Sequence, residues 1–302
     1  MDCPKCGHPA PFGTLECESC GVIFAKVSHS RTFVPPPLVA YEEERVSDGR
    51  VGPRELKLLA FGLGAAILAY VFPLTRYLLS VVVTLFHELG HAVAGWLFGY
   101  PSIPAFDLMY GGGLTHYGEF KLSIAVGIAC GFGYLGWLFR QNRKSVALVV
   151  AAFAAWLLIV ISPWRRELVM AGAGHLAEFI LAAILFYKAL AGVGWRNPTF
   201  ERPLGAFVAF FVQIHSTLFA WRLRHDAEFL AWYRRGKGDA LMNDLESIAL
   251  DIQIRYGFAP QVEGVAKWLL VFSVLPTVVA LVWYFERARW HRVLRALRTA
   301  DA

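Results

Sequence analysis

Charged side chains are scarce in this chain of 302 residues. Asp, Glu, Lys and Arg together make up 17% of it, against 57% hydrophobic residues. A soluble domain carries about 25% charged residues. The shortage excludes an ordinary water-soluble globular protein, and a mean hydropathy of +0.48 fits a multi-span protein embedded in the lipid bilayer. A signal peptide is also missing: the N-terminus is polar, with no apolar core leading to a small-residue cleavage site. The net charge of +6 does not point to nucleic acid. Most basic residues flank apolar runs, where they orient spans and meet anionic lipid. Cysteine is rare beyond the N-terminus. Four of the five lie in the first twenty residues, and Cys130 sits in an apolar run as a small packing residue.

What is present falls into four parts. Residues 1–26 hold the cysteine module. Residues 27–57 form a linker with Pro35-Pro36-Pro37, the charged run Glu42-Glu43-Glu44-Arg45 and Gly52-Pro53. Nothing in it repeats at helical period, which predicts an extended, mobile connection. Residues 58–285 carry apolar blocks of roughly 20 residues, the length that crosses a bilayer core. Candidate spans are Leu58–Phe72, Leu74–Tyr100, Leu122–Phe139, Val146–Trp164, Leu168–Leu190, Leu204–Leu223 and Trp268–Phe285. Pro73 breaks the short first block from the second, so Leu58–Phe72 is the weakest of them. Tyr77, Tyr100, Trp164, Trp195 and Trp268 fall near block ends, where interfacial belts sit. Two segments do not read as spans: 101–120, with Pro101, Pro104 and Gly111-Gly112-Gly113, and the polar region 224–265. Residues 286–302 set arginines 287, 289, 292, 295 and 298 among Trp290, Val293, Leu294 and Leu297, the pattern of a basic amphipathic helix on a membrane surface. The expected fold class is an all-α polytopic membrane protein of about six or seven spans with a small N-terminal zinc ribbon.

Cys3-Pro4-Lys5-Cys6-Gly7 and Cys17-Glu18-Ser19-Cys20-Gly21 are two CxxC knuckles separated by ten residues. Four thiolates from two tight turns make a closed tetrahedral structural zinc site. Each glycine lets its turn adopt positive φ while backbone N–H groups face the sulfurs. Two disulfides would be the alternative, weakened by the lack of an export signal. A segment this short cannot fold on its own core, so the metal would supply the folding energy. A closed site leaves no coordination position for chemistry, which points to docking or regulation through a protein partner.

The second constellation is His87-Glu88-Leu89-Gly90-His91, inside the apolar stretch from Leu74 to Tyr100. Histidines four apart share one helix face and can reach a single zinc ion, while Glu88 lies about 100° further round and can hold a water against it. Ionisable groups in mid-membrane are a functional hypothesis by default. Catalytic zinc takes a third protein ligand and keeps an open position. Gly174-His175-Leu176-Ala177-Glu178, in another apolar run, offers Glu178 as that ligand, because a mid-membrane carboxylate needs a counter-charge. His175, at i, i+3 from it, is a candidate supporting residue or a ligand in its place. Asp226 and Asp244 compete for the role, although both lie outside an obvious span and read more simply as solvated carboxylates. His215, with Gln213, Ser216 and Thr217, forms a polar patch that lines a cavity or bonds between helices.

HELGHAVAGWLFGY within a span, followed by the glycine-rich segment GGGLTHYGE and the span GFGYLGW, resembles the site-2 protease family of intramembrane zinc metallopeptidases, and most nearly its smaller bacterial branch. The resemblance covers roughly residues 58–195. It implies His87 and His91 as zinc ligands and Glu88 as catalytic base. The family usually draws its third ligand from an Asp in a Leu-Asp-Gly motif on a later span. No Leu-Asp-Gly occurs in this sequence; Leu250-Asp251-Ile252 lacks the glycine and lies in a polar region. The expected function is that of an intramembrane zinc metalloendopeptidase cleaving membrane-anchored proteins, Glu88 activating a zinc-bound water, with one catalytic and one structural zinc. The segment 104–118 would offer an unwound substrate a strand to pair with. The expected setting is a bacterial inner membrane with the ribbon in the cytoplasm. The basic tail also reads as cytoplasmic, which seven crossings cannot satisfy. The alternative is a non-proteolytic, metal-stabilised membrane scaffold that recruits partners through the ribbon.

Overall fold

The computed structural model describes residues 2–3, 5–11, 14–23, 51–106, 112–235, 242–258 and 260–299, those of 288–299 for their backbone alone. The linker expected over 27–57 lies outside the described residues as far as residue 50, and so do the side chains of the basic tail beyond Arg287. The chain divides into two compact units, Met1–Ser47 and Asp48–Ala302.

The described residues of the first unit form two near-identical knuckles. In each, the N–H of the first cysteine bonds a carbonyl five residues on (Cys3 to His8, Cys17 to Val22, both 2.9 Å). The following glycine returns an N–H to that cysteine's carbonyl (Gly7 to Cys3, Gly21 to Cys17, both 2.8 Å). Gly7 and Gly21 hold φ of 72° and 68°, a region that side chains disfavour. The bridges Asp2–Pro9 and Glu16–Ile23 close the two loops.

Among its described residues the second unit is helical apart from one hairpin and the connections. Helix α1 (Pro53–Val71) stops at Phe72, which precedes Pro73 and takes an extended backbone; Pro73 then opens α2 (Pro73–Leu97) at its first position. The glycine-rich segment folds as an antiparallel hairpin, β1 (Ser102–Phe106) and β2 (Gly113–Tyr117), with Pro104 opposite Thr115. Then follow α3 (Leu122–Leu138), α4 (Arg143–Val160), α5 (Pro163–Ala191), α6 (Pro198–His225), α7 (Ala227–Arg235), α8 (Asp244–Tyr256), α9 (Val262–Phe272) and α10 (Leu275–Thr299).

Among the described residues, five stretches are long and apolar enough to cross a membrane: α2, α4, α5, α6 and the run Val262–Arg287 formed by α9 and the start of α10. Helix α3 is apolar but shorter, and α1 does not qualify. Outward-facing Leu74, Leu122, Leu148 and Trp268 are exposed, as a lipid-facing surface requires. Helix α5 is the axis, packing against α2, α6, α8 and α10, while α1 lies along α6. Small residues bring these backbones together. A Cβ on Gly90 would fall 2.5 Å from the Ala173 carbonyl oxygen, and one on Gly62 2.8 Å from the Ala206 Cβ.

The polar region 224–265 does not remain outside the bundle. Leu245 of α8 joins Ala220 and Leu223 of α6, Tyr233 of α7 and Ala266 of α9 in one buried cluster. That packing carries the start of α8 to the histidines.

Candidate metal centres

Backbone geometry brings the four thiols together. Cys3 and Cys20 sulfurs lie 3.6 Å apart and those of Cys6 and Cys17 3.7 Å apart, and all four fall within 4.8 Å of one another. Bonded sulfurs would sit at about 2.05 Å, so the cysteines are free thiols. A tetrahedral site with metal–sulfur bonds of about 2.3 Å has edges of about 3.8 Å. The observed spacings therefore fit a metal ion. Burial opposes ionisation of Cys3, yet the backbone N–H groups of Cys6 and Lys5 and the neighbouring thiols bring its pKa down to about 6.

In the membrane unit, His87, Glu88 and His91 project from the second half of α2, with Glu88 and His91 buried. Each ring is fixed by its Nδ1: that of His91 lies 2.7 Å from the carbonyl oxygen of Met170, and that of His87 2.6 Å from Glu178 Oε1. Both Nε2 atoms therefore point inward, 3.0 Å from each other. Asp244 Oδ2 meets them at 2.8 Å from His87 and 3.1 Å from His91. With both Nδ1 positions donating, two imidazole lone pairs and a carboxylate converge on one point, and only positive charge can hold them there: a metal cation, or protons in its absence. The donor spacings are slightly tighter than the edges of about 3.3 Å that bonds of about 2.0 Å give. Helix α5 leaves room because residue 174 is glycine. A Cβ there would fall 2.5 Å from His91 Nε2 and collide with His87 Nε2 as well.

Asp244 is held by its own local structure. Asn243 caps α8 with a reciprocal capping box to Glu246, which puts Asp244 at the first helical position. Asn243 Nδ2 also donates to the Tyr233 carbonyl at 2.7 Å, and the Leu245 N–H donates to the Tyr233 hydroxyl at 3.3 Å. Burial works against ionisation of Asp244, but hydrogen bonding from His87 and His91 outweighs it and holds the carboxyl well below its usual range.

A cavity of about 410 Å³ opens beside this point, lined by Glu88, His91, Thr115, Tyr117, Met242 and Asp244 among others. Glu88 is fixed at its edge: the Thr115 hydroxyl lies 2.7 Å from Glu88 Oε2, and Gly113 presses so closely that a Cβ would strike the carboxylate. Nothing in the residue pattern marks Thr115 beyond the glycines that let the hairpin approach.

The other candidates are placed as follows. Glu178 lies on the far side of His87 from Asp244, at Nδ1, with Ser216 Oγ on its second oxygen. His175 Nδ1 is 3.3 Å from Glu178 Oε1, and its ring stands edge-on to His87 with centroids 4.6 Å apart. His87, His175 and Glu178 are themselves close enough to hold a metal, but they do not line the cavity. Asp226 ends α6, pairs with Arg222 at 3.3 Å and accepts from the Phe229 N–H at 2.9 Å, which is a helix-end role. His215 packs between Tyr70 and Phe211.

Comparison of the chain with models of known protein families, with curated proteins and with solved structures finds no match in any of the three.

Proposed function

We propose that the protein is an intramembrane zinc metalloendopeptidase of site-2-protease type that hydrolyses peptide bonds of membrane-anchored proteins. One observation carries the reading: His87 Nε2, His91 Nε2 and Asp244 Oδ2 converge beside an open cavity whose edge holds Glu88. In this reading Asp244, rather than Glu178, completes the metal site. It supplies from the first turn of a short helix what the missing Leu-Asp-Gly motif would supply from a span. The group with His91 and Asp244 on the cavity wall is preferred over His87, His175 and Glu178, none of which lines it, because catalysis needs an open position for water and substrate. A zinc ion held by His87, His91 and Asp244 would acidify a bound water and polarise a carbonyl. Glu88 takes the proton of the attacking water on its carboxylate and delivers it to the leaving amine. Thr115 holds Oε2 so that the carboxylate cannot swing away. Leu114, Thr115 and Tyr117 of β2 present a strand to the cavity, against which a substrate segment unwound from its own helix can extend.

The N-terminal module is a zinc ribbon for a protein partner. Counting α3 with the five longer stretches gives six crossings, an even number that puts both ends of the membrane region on one side, the cytoplasmic side of a bacterial inner membrane. A scaffold without activity would have no use for a carboxylate held at the cavity edge.

The test compares wild type with Glu88→Gln in membranes containing single-span reporter proteins, with metal content measured in both. Cleavage by wild type alone, at equal metal content, is expected. Equal cleavage by both would remove the protease reading.

A further inference from the structure

The two histidines of the membrane centre are not supported alike. His91 Nδ1 rests on a backbone carbonyl, a neutral acceptor that any residue at 170 would supply. His87 Nδ1 rests on Glu178, a buried carboxylate in the middle of a helix long enough to span the bilayer. An ionised group there is expensive unless it is fully engaged. Both of its oxygens are engaged: Oε1 takes His87 Nδ1 at 2.6 Å and Oε2 takes the hydroxyl of Ser216, while His175 Nδ1 stands 3.3 Å from Oε1 without a hydrogen bond to it. Ser216 is itself buried and lies 3.0 Å from the Val212 carbonyl of its own helix. Two helices, α5 and α6, thus aim one charged acceptor at one ring nitrogen on α2.

We infer that Glu178, held by Ser216, is a positioning residue for His87: it keeps the proton on Nδ1, turns the Nε2 lone pair toward Asp244 and His91, and raises the donor strength of the ring, so that it sets the metal affinity of the membrane centre. A carboxylate behind a ligating imidazole does this in general, and its loss weakens metal binding by about 10- to 100-fold. The inference rests on the reading of His87, His91 and Asp244 as the metal ligands. Ser216 acts one step further out, by stopping rotation of the carboxylate about its last torsion. His175 closes the remaining side of Oε1.

The experiment uses the full chain in detergent. Zinc affinity is measured by chelator competition, with the four-thiol site as an internal control that should not change. Cobalt(II) absorption at saturating metal reports ligand number, as the difference from wild type. Glu178→Ala is expected to weaken the membrane-centre zinc by about 10- to 100-fold while the saturated cobalt spectrum keeps its intensity. Ser216→Ala should shift affinity the same way by less. Glu178→Gln keeps the volume and an acceptor oxygen for Nδ1–H, so it should recover most of the loss and guards against a folding artefact in the alanine variant. Asp244→Ala, in contrast, should change the cobalt spectrum itself. Unchanged affinity in Glu178→Ala, or a Gln variant as weak as the Ala variant, would overturn the positioning role. A spectral change in Glu178→Ala that matches loss of a ligand would make Glu178 a ligand instead. An Asp244→Ala protein with wild-type affinity and spectrum would instead sink the ligand assignment on which the inference stands.

Discussion

The two candidate metal centres of this chain are built in opposite ways. The four thiols come from positions 3 to 20, and the same backbone turns that expose the sulfurs make up the described structure around them. Cys3 and Cys17 are its only buried side chains among the described residues. The membrane centre draws His87 and His91 from α2 and Asp244 from α8, 157 positions beyond His87. It leans on Glu178 of α5, Ser216 of α6 and Thr115 of the hairpin. Around it stand packed helices with large buried clusters of their own. In the first region an ion would take the place of a hydrophobic core. In the second the core already exists, and an ion would be a reagent placed within it. The difference predicts where metal binding and folding are one event and where they are separate.

The largest expected effect follows from that contrast. Replacing Cys3 and Cys6 together with Ser should unfold the N-terminal module, because structural zinc contributes on the order of 10 kcal/mol or more to such small sites. Metal content should fall from two ions per chain to one, and amide protons of residues 14–23 should lose protection while the helical circular dichroism signal stays. Replacing His87 and His91 together with Ala should remove the other ion and leave both the helices and the knuckles protected. Helices that melt in wild-type protein when the membrane ion is stripped by chelator, with His87 still in place against Glu178, would show the membrane metal to be structural, and the contrast between the two regions would collapse.

The same contrast explains what could be read from the amino acids alone. Both CxxC knuckles were legible because all their ligands are neighbours in sequence, and the structure gathers them as expected. The helical membrane fold was legible from block length and apolarity, and the break at Pro73 from the restriction proline places on the residue before it. His87, Glu88 and His91 were legible as a unit through helical period. The carboxylate that meets them was legible only as one of three candidates, beside Glu178 and Asp226. Asp244 sits in a polar region, where an aspartate normally faces water, and only the packing of Leu245 under Tyr233 and Ala266 turns it inward. The capping signature Asn243-x-x-Glu246 fixes Asp244 at a helix start but says nothing of what that start faces. Glu178 reads as a ligand in the sequence because a mid-membrane carboxylate needs a positive partner. Its neighbours in the structure are His87 Nδ1 and the Ser216 hydroxyl, on the opposite side of the ring from the converging lone pairs. Helical period could not tell one side of an imidazole from the other.

A smaller effect tests whether the space at the membrane centre is a designed feature of α5. Gly172 and Gly174 lie one dipeptide apart in the same helix, yet a Cβ on Gly172 meets nothing within 4 Å, while one on Gly174 strikes both imidazoles. Gly174→Ala is an overpacking change of about 1–3 kcal/mol, and that strain falls on the metal ligands. Metal affinity at this centre should drop by about 10- to 100-fold, the range that strain implies. Gly172→Ala should bind metal as wild type does and be slightly more stable, since alanine favours helix over glycine by about 1 kcal/mol. Calorimetric metal titration and thermal melts of the two variants read both effects. Equal behaviour of the pair would mean that the close approach of α5 to the histidines has no part in binding.

The smallest effect asks whether the helical frame stands apart from its ion. Asn142 caps α4, its side-chain oxygen accepting from the N–H groups of Lys144 and Ser145 at 3.1 and 3.2 Å, with no metal-site residue among those partners. Asn142→Ala leaves those donors without that acceptor and should lower stability by about 1 kcal/mol. If the frame is independent of the metal, the unfolding midpoint in denaturant should fall by the same amount in zinc-loaded and chelator-stripped protein. The capping loss acts on the helix alone, and mutations at separate sites add. A shift present only in loaded protein would mean that α4 and the metal centre unfold as one unit. The ion would then belong to the fold of the membrane region as it does to the thiol module, and the division between ion as core and ion as reagent would not hold for this chain.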